Sequence, residues 1–485
     1  MSWCRRARDP RLLVAVLVSL TGCAHYHVND ALTQPAVVGA YRFPDAPPPA
    51  GPNTDSLFVC LTFSGGGTRA AALAYGVMEK LRTTTITWQG VNKPLLAEVD
   101  CISSVSGGSF PAAYYGLHGD RLFTDFRERF LDRDIQGELA AQLFNPVTLA
   151  RLASPYYSRS DLAAELYDRT IFDGKPFSTL AGRRPYIILN ATDLATGRLF
   201  EFTQDQFDLI GSDLSRYPVA RAVAASSAFP LLLTPISLQN HPAPPGWQPP
   251  QEYRSALNDF EGNRRRWAWA RSRLDYHDHK AERPWIHLAD GGMADNIGLR
   301  PVEAAYRFAS GFIRPRINQR RVERLVIIAV NARTDPQEQI SRKESPPGTL
   351  AVAYKASTIA MDNYSFDTVQ LMKDGELQAY QSRRYTADCQ AKIDAAECRK
   401  PPVLPTAAPL RTCLVEVDFE ALRDEKMRRR FLELPTTFAL PREDVDALIA
   451  IGKDLLEKSP AFQRLLKALA GAPPPTAPDE DPNCG

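Results

Sequence analysis

Apolar residues fall along this chain in two rhythms. Short buried-type runs recur at residues 57–63 (LFVCLTF), 99–105, 186–189 (YIIL), 285–289 and 325–330. Runs of this length, rich in Val, Ile and Leu, are the pattern of strands covered on both faces of a sheet. Between them the spacing turns helical. Ala71, Ala74, Tyr75, Met78 and Leu81 repeat on one face, and further helices are predicted over Ala112 to Tyr115, Pro218 to Ser227 and about Pro301 to Phe308. Arg198 to Thr203 extends the sheet after a turn at Thr196-Gly197. Strands alternating with helices predict a three-layer α/β fold, a mostly parallel sheet with helices on both faces. Beyond residue 335 the pattern is mixed α/β. Leu350 to Lys373 reads as helix, Thr412 to Phe419 alternates like a strand, and Arg442 to Ala470 is helical with a break at Ser459-Pro460. This region is either a cap on the same core or a separate subdomain.

The first residues change the picture of where the chain works. Arg5, Arg6, Arg8 and Arg11 precede an apolar run, Leu12 to Leu20, too short to cross a bilayer. The run ends in Leu20-Thr21-Gly22-Cys23, which resembles the bacterial lipobox: the cysteine thiol carries a diacylglyceryl group after cleavage just before it. The alternative is an ordinary secretory signal with a chance cysteine. Two acyl chains on Cys23 are enough for stable anchoring. No other stretch approaches the length of a membrane span, so the expectation is a chain anchored in the bacterial envelope. Ala24 after Cys23, where Asp would favour retention, points to the outer membrane. The segment plan is a signal peptide over 1–22, a Pro-rich tether over 23–55, a catalytic-type domain over 56–335, the C-terminal extension over 336–470 and a disordered tail over 471–485. A formal net charge of only +2, with no basic stripe, gives no footprint for nucleic acid. Oligomeric state leaves no mark in the sequence.

Apart from Cys4 and Cys23, six cysteines remain: Cys60, Cys101, Cys389, Cys398, Cys413 and Cys484. Fifteen pairings are open, with Cys389–Cys398 favoured by proximity in a polar segment. Cys60 and Cys101 fall in predicted core strands and read equally as buried thiols or a bridge. His277-Asp278-His279 raises the question of metal, but its charged surroundings read as a solvated loop. No metal or cofactor is called for.

Three loops carry the chemistry. Ser104-Val105-Ser106-Gly107-Gly108 lies between a strand and a helix, with small residues two before and two after Ser106, as a sharp nucleophile turn requires. The following helix directs its N-terminal amides toward the serine oxygen. The earlier loop, Gly65-Gly66-Gly67-Thr68-Arg69, leaves backbone N–H groups bare enough to curl around an anion, which is what an oxyanion hole requires. It does not complete a nucleotide fingerprint, because Ala70 occupies the last glycine place and no G-K-[ST] follows. Leu288-Ala289-Asp290-Gly291-Gly292 runs a strand into an acid and two glycines, freeing a carboxylate at a strand's carboxyl end. The blander alternative is an Asp that caps a turn.

Together these motifs resemble the patatin-like phospholipase family. Ala225-Ser226-Ser227-Ala228-Phe229-Pro230 is similar to the family's A-S-x-A-x-P segment, and Ala191-Thr192-Asp193-Leu194 with Thr196-Gly197 matches a common strand and turn. The resemblance covers roughly residues 57–335. Ser104 and Ala70 depart from it, where the family usually has glycine. The resemblance implies that Ser106 is a nucleophile and Asp290 its base, a dyad without histidine. It implies an oxyanion hole from Gly65, Gly66, Gly67 and Gly107, and an Arg69 that holds its loop, pairs structurally or meets anionic headgroups. All seven histidines lie before Asp290, so a Ser-Asp-His order through Asp290 is impossible. A triad using another acid with His241, His277, His279 or His287 stays open. The implied activity is acyl ester hydrolysis of membrane lipids, phospholipase A or lysophospholipase in kind. The alternative is a catalytically idle envelope lipoprotein that binds lipid or protein.

Overall fold

The computed structural model describes residues 25–35, 39–44, 53–230, 232–335, 344–396, 403, 410–471 and 484. The signal segment and Cys23 lie outside the described residues.

Among the described residues eight strands form one sheet: β1 (Leu57–Phe63), β2 (Val99–Val105), β3 (Tyr186–Asp193), β4 (Arg198–Glu201), β5 (Ile236–Gln239), β6 (Trp285–Asp290), β7 (Arg324–Asn331) and β8 (Arg411–Asp418). Their order is β8-β7-β1-β2-β3-β6-β5, with β4 also paired to β3. The five strands from β8 to β3 are parallel. Every residue of β1, β2, β3 and β7 is buried. Successive side chains point to opposite faces, so both faces are covered, as the unbroken apolar runs predict. β4, β5 and β6 enter antiparallel. The expected carboxyl-end logic for Asp290 is corrected accordingly. β6 runs against β3, and Asp290 reaches the site because its register places it opposite Ala191, one residue beyond the pairing of Asn190 with Val105.

The helices that matter for the site are α1 (Gly67–Thr83), α2 (Ser109–His118), α3 (Val219–Ser226), α4 (Arg264–Asp278), α5 (Thr349–Ala395), α6 (Arg442–Lys458) and α7 (Pro460–Leu469). The predicted helix from Leu350 to Lys373 is the first half of α5, whose 47 residues span about 70 Å. The His277-Asp278-His279 segment, expected as a loop, is the end of α4.

The C-terminal region is part of the same core. β8 completes the sheet in full register with β7 from Arg324↔Arg411 to Asn331↔Asp418. α6 lies against α1 so closely that a Cβ on Gly76 would stand 2.2 Å from the Ile449 carbonyl oxygen, and one on Gly452 2.6 Å from that of Leu73. Two facing glycines let the backbones approach, and the apolar sides of both helices close on each other.

Three expectations are corrected here. The tether is docked over much of its length: Asp30–Ala31 pairs with Ser212–Asp213, and the buried Tyr41 hydroxyl donates to the Ile187 carbonyl and accepts from its N–H at 2.8 and 2.7 Å. Alternation of apolar and polar residues was too short there to signal it. In the tail Cys484 is buried and bonded to Cys413 in β8, while residues 472–483 and 485 lie outside the described residues. Cys389 is a free thiol and Cys398 lies outside the described residues, whereas Cys60 and Cys101 form a bridge. These two stand opposite each other on the neighbouring strands β1 and β2.

Candidate active site

Ser106 ends β2 and begins a tight turn, Ser106–Gly108, before α2. Its φ of +50° is left-handed, a backbone strain that a non-glycine residue tolerates only where neighbours enforce it. The neighbours are visible. Ser106 N–H donates to Ser226 Oγ at 2.9 Å, and Ser226 Oγ also meets Ser109 Oγ at 2.9 Å. A Cβ on Gly107 would stand 2.1 Å from the Gly67 carbonyl oxygen, and one on Gly108 2.6 Å from that of Ser64. The small residues are therefore required by the close approach of two loops. Ser104 fits because its fully buried hydroxyl finds the Ile188 carbonyl at 3.4 Å. Ala70 is buried in the first turn of α1.

Asp290 meets Ser106 from the other side. The two line the same cleft, and the Ser106 side chain favours the charged form of the carboxylate. The Gly292 N–H donates to Asp290 Oδ1 at 2.8 Å. The carboxylate is 3% exposed, and burial lifts its pKa to about 6, against the Gly292 hydrogen bond and the Ser106 side chain. Its backbone is pinned by Asp290 N–H to the Ala228 carbonyl (3.0 Å), Gly291 N–H to the Ser226 carbonyl (3.1 Å) and Thr192 Oγ1 to the Asp290 carbonyl (2.8 Å). Gly291 is needed for contact rather than for turning: a Cβ there would lie 2.3 Å from the Asn190 carbonyl oxygen.

The glycine loop closes the site from above. Gly66 and Gly67 have φ of 136° and 59°, which glycine alone adopts freely. Gly65 packs on Ser106, where an added Cβ would stand 3.2 Å from the serine Cβ. The Gly65 N–H, however, donates to the Asn296 carbonyl at 2.9 Å. Of the four amides expected at the oxyanion hole, Gly65 is thus committed elsewhere. The amides of Gly66, Gly67 and Gly107 have no such partner among the described residues. Arg69 is 2% exposed and lines the cleft beside the glycine loop. Its guanidinium donates to the carbonyls of Ala332 (3.0 Å) and Leu434 (2.6 Å) and to Thr436 Oγ1 (3.1 Å). These bonds tie the glycine loop to the segments at Ala332 and Leu434–Thr436.

No histidine lines the cleft. His241 bonds the Asn29 carbonyl, His277 and His279 meet Asp278 and Asp275, and His287 meets Ser237.

The family model for patatin-like phospholipase matches residues 61–305, half of the 485-residue chain. The chain belongs to the patatin-like phospholipase family. Curated proteins offer no match. Among solved structures, human GIVD cytosolic phospholipase A2 is 14% identical with a TM-score of 0.42, covering 86% of this chain and 60% of that one. Its complex with methyl gamma-linolenyl fluorophosphonate is 13% identical with a TM-score of 0.36, covering 86% and 59%. VipD from Legionella pneumophila is 10% identical with a TM-score of 0.23, covering 82% and 67%. The chain spans 60% of the length of the human protein.

The matched segment holds Gly65–Gly67, Ser106 and Asp290, but the roof comes from outside it. Thr68 N–H donates to the Thr437 carbonyl at 2.8 Å, and Arg333, Met361 and Phe438 line the cleft. Sequence reasoning missed these residues and Asn296, because no local pattern marks a loop that arrives from 230 or more residues away. Ser226 carried a signal in its A-S-x-A-x-P segment. Its task, joining the serine turn to the aspartate turn, is legible only in space.

Proposed function

We propose that this chain is a serine acyl hydrolase that cleaves carboxylic esters of membrane lipids, with Ser106 as nucleophile and Asp290 as its base. The observation that carries this reading is that Ser106 and Asp290, brought together from separate strands, line one cleft with the glycine loop, where the Gly66, Gly67 and Gly107 amides have no partner among the described residues. Ser106 Oγ attacks the ester carbonyl carbon while Asp290 takes its proton. The oxyanion of the tetrahedral intermediate is held by the Gly66, Gly67 and Gly107 amides at the positive end of α1. Collapse breaks the bond to the alcohol, which leaves with the proton from Asp290. Water, deprotonated by Asp290, then attacks the acyl-serine, and the fatty acid departs as Ser106 regains its proton. An apolar groove lined by Leu139, Leu143, Leu162, Leu233 and, shared with the cleft, Leu232 and Phe438 suits the acyl chain. Anchoring at Cys23 in the outer membrane would hold this site beside its substrate.

The test is fluorophosphonate labelling and fatty-acid release from mixed phospholipids. Wild type is expected to label at Ser106 and release acid. Ser106→Ala loses both, and Asp290→Asn loses about 10²- to 10⁴-fold in kcat, the usual worth of a positioned base. Absence of both labelling and release in wild type would leave the idle lipoprotein as the reading.

A further inference from the structure

A second cavity of about 300 Å³ opens beside the catalytic cleft, and Asn296 and Arg333 line both. Its floor is the carboxyl end of β7 and β8 and its wall is one side of α5. The volume is at the small end of ligand pockets, room for a polar headgroup and not for a whole lipid. Its lining carries five ionisable groups: Arg333, Lys373, Glu416, Asp418 and Glu420.

The internal pairing leaves specific groups unanswered. Lys373 Nζ pairs with Glu416 at 2.9 Å, so these two cancel. Arg333 has one long ion contact, 3.9 Å to Glu420, and its buried Nε meets no acceptor. Asp418 is 8% exposed; its oxygens accept from Asn331 Nδ2 and from Glu420 N–H, both at 2.8 Å, and among the described residues no cation bonds it, Arg333 acting on it only at a distance. Burial, with Glu416 and Glu420 nearby, holds its pKa up at about 6. Asn331 is equally buried, and its Oδ1 has no hydrogen-bond partner. Glu420 has only long ion contacts, 3.9 Å to Arg333 and 3.9 Å to Arg428. Among the described residues, therefore, no anion sits closely at Arg333 beside the cleft, and no cation hydrogen-bonds deeper in at Asp418, Glu420 and Asn331 Oδ1.

We infer that this cavity receives the zwitterionic headgroup of a glycerophospholipid, with the phosphate at Arg333 and the ammonium between Asp418 and Glu420. The inference rests on the hydrolase reading above and deepens it by naming the substrate class. A phosphate alone would leave two carboxylates facing each other. A headgroup with a second negative charge would add to that repulsion. A phosphate followed by an ammonium answers both vacancies in the order in which they are met from Ser106. The ester carbonyl, a few bonds from the phosphate, is then set at the glycine amides while the acyl chain leaves toward Leu232 and Phe438.

The full chain is assayed in mixed micelles with phosphatidylethanolamine, phosphatidylglycerol and diacylglycerol. Wild type is expected to prefer phosphatidylethanolamine. Arg333→Gln should lower the phosphatidylethanolamine-to-diacylglycerol rate ratio at least fivefold. Glu420→Gln, at a half-exposed position that tolerates change, should lower the phosphatidylethanolamine-to-phosphatidylglycerol ratio at least threefold. Glycerophosphoethanolamine should inhibit more strongly than glycerol 3-phosphate, inorganic phosphate or ethanolamine. Ratios within twofold of wild type in either variant, or equal inhibition by inorganic phosphate, overturn the headgroup assignment while leaving the hydrolase reading intact. Failure of wild type to cleave any of the three lipids, with no fluorophosphonate labelling, overturns the hydrolase reading itself.

Discussion

An aspartate is a poor base for a hydroxyl at its ordinary pKa, and burial is what alters Asp290. Its pKa rises from 3.8 to about 6 because a charge there is stripped of water, and the Gly292 hydrogen bond and the Ser106 side chain recover only part of that cost. A base must be ionised to act, so kcat/KM is expected to rise with pH through about 6 and to level off above 7. A profile already flat from pH 4 would show that Asp290 is not the titrating base. The same shift has a stability consequence of opposite sense. Between about pH 4 and 6 the folded chain keeps a proton that the unfolded chain releases, so the contribution of Asp290 to stability falls as pH rises across that window. At pH 8, Asp290→Asn should therefore unfold at higher denaturant than wild type, by up to roughly 3 kcal/mol.

At the scale of elements, Ser106 and Asp290 are set by splices between neighbouring strands. The Ser226 to Ala228 stretch after α3 takes the Ser106 N–H on one side and the Asp290 and Gly291 N–H groups on the other. β1 and β2, which end in the glycine loop and the serine turn, are bridged by Cys60–Cys101, 41 residues apart in sequence. Closing a loop of that length restricts the unfolded chain by about 4 kcal/mol. The double substitution Cys60→Ala and Cys101→Ala is expected to lower the unfolding free energy by that order, read from urea midpoints. Reductant should lower the wild-type midpoint by more than the variant's, because it opens Cys413–Cys484 in both but Cys60–Cys101 only in wild type. An equal fall in both would mean that the Cys60–Cys101 bridge contributes nothing to stability.

At the scale of the molecule, the catalytic loops and the C-terminal region form one body. β8 covers the edge of the fully buried β7, α6 closes on α1 through Gly76 and Gly452, and Arg69 holds the carbonyls of Ala332 and Leu434 across the site. A chain ending at Asp335 is expected to be insoluble or unfolded, because it would expose a hydrophobic strand edge and the apolar side of α1. A soluble, cooperatively melting fragment with esterase activity would contradict this.

The local pattern determined much of this protein. Unbroken apolar runs named the central strands, helical spacing named α1 and α3, and strand-loop-helix junctions singled out Ser106, Asp290 and the three glycines. Those features depend on near neighbours in sequence, through side-chain period and backbone freedom. Register, pairing and closure depend on contacts between distant segments. Only the tertiary structure decided that β6 runs antiparallel yet delivers Asp290 to Ser106, that the Gly65 amide is taken by Asn296, and that Cys60 bonds Cys101. It alone decided that loops around Arg333 and Thr437 roof the cleft. Many sequences share such short segments, and packing in three dimensions selects which of them meet.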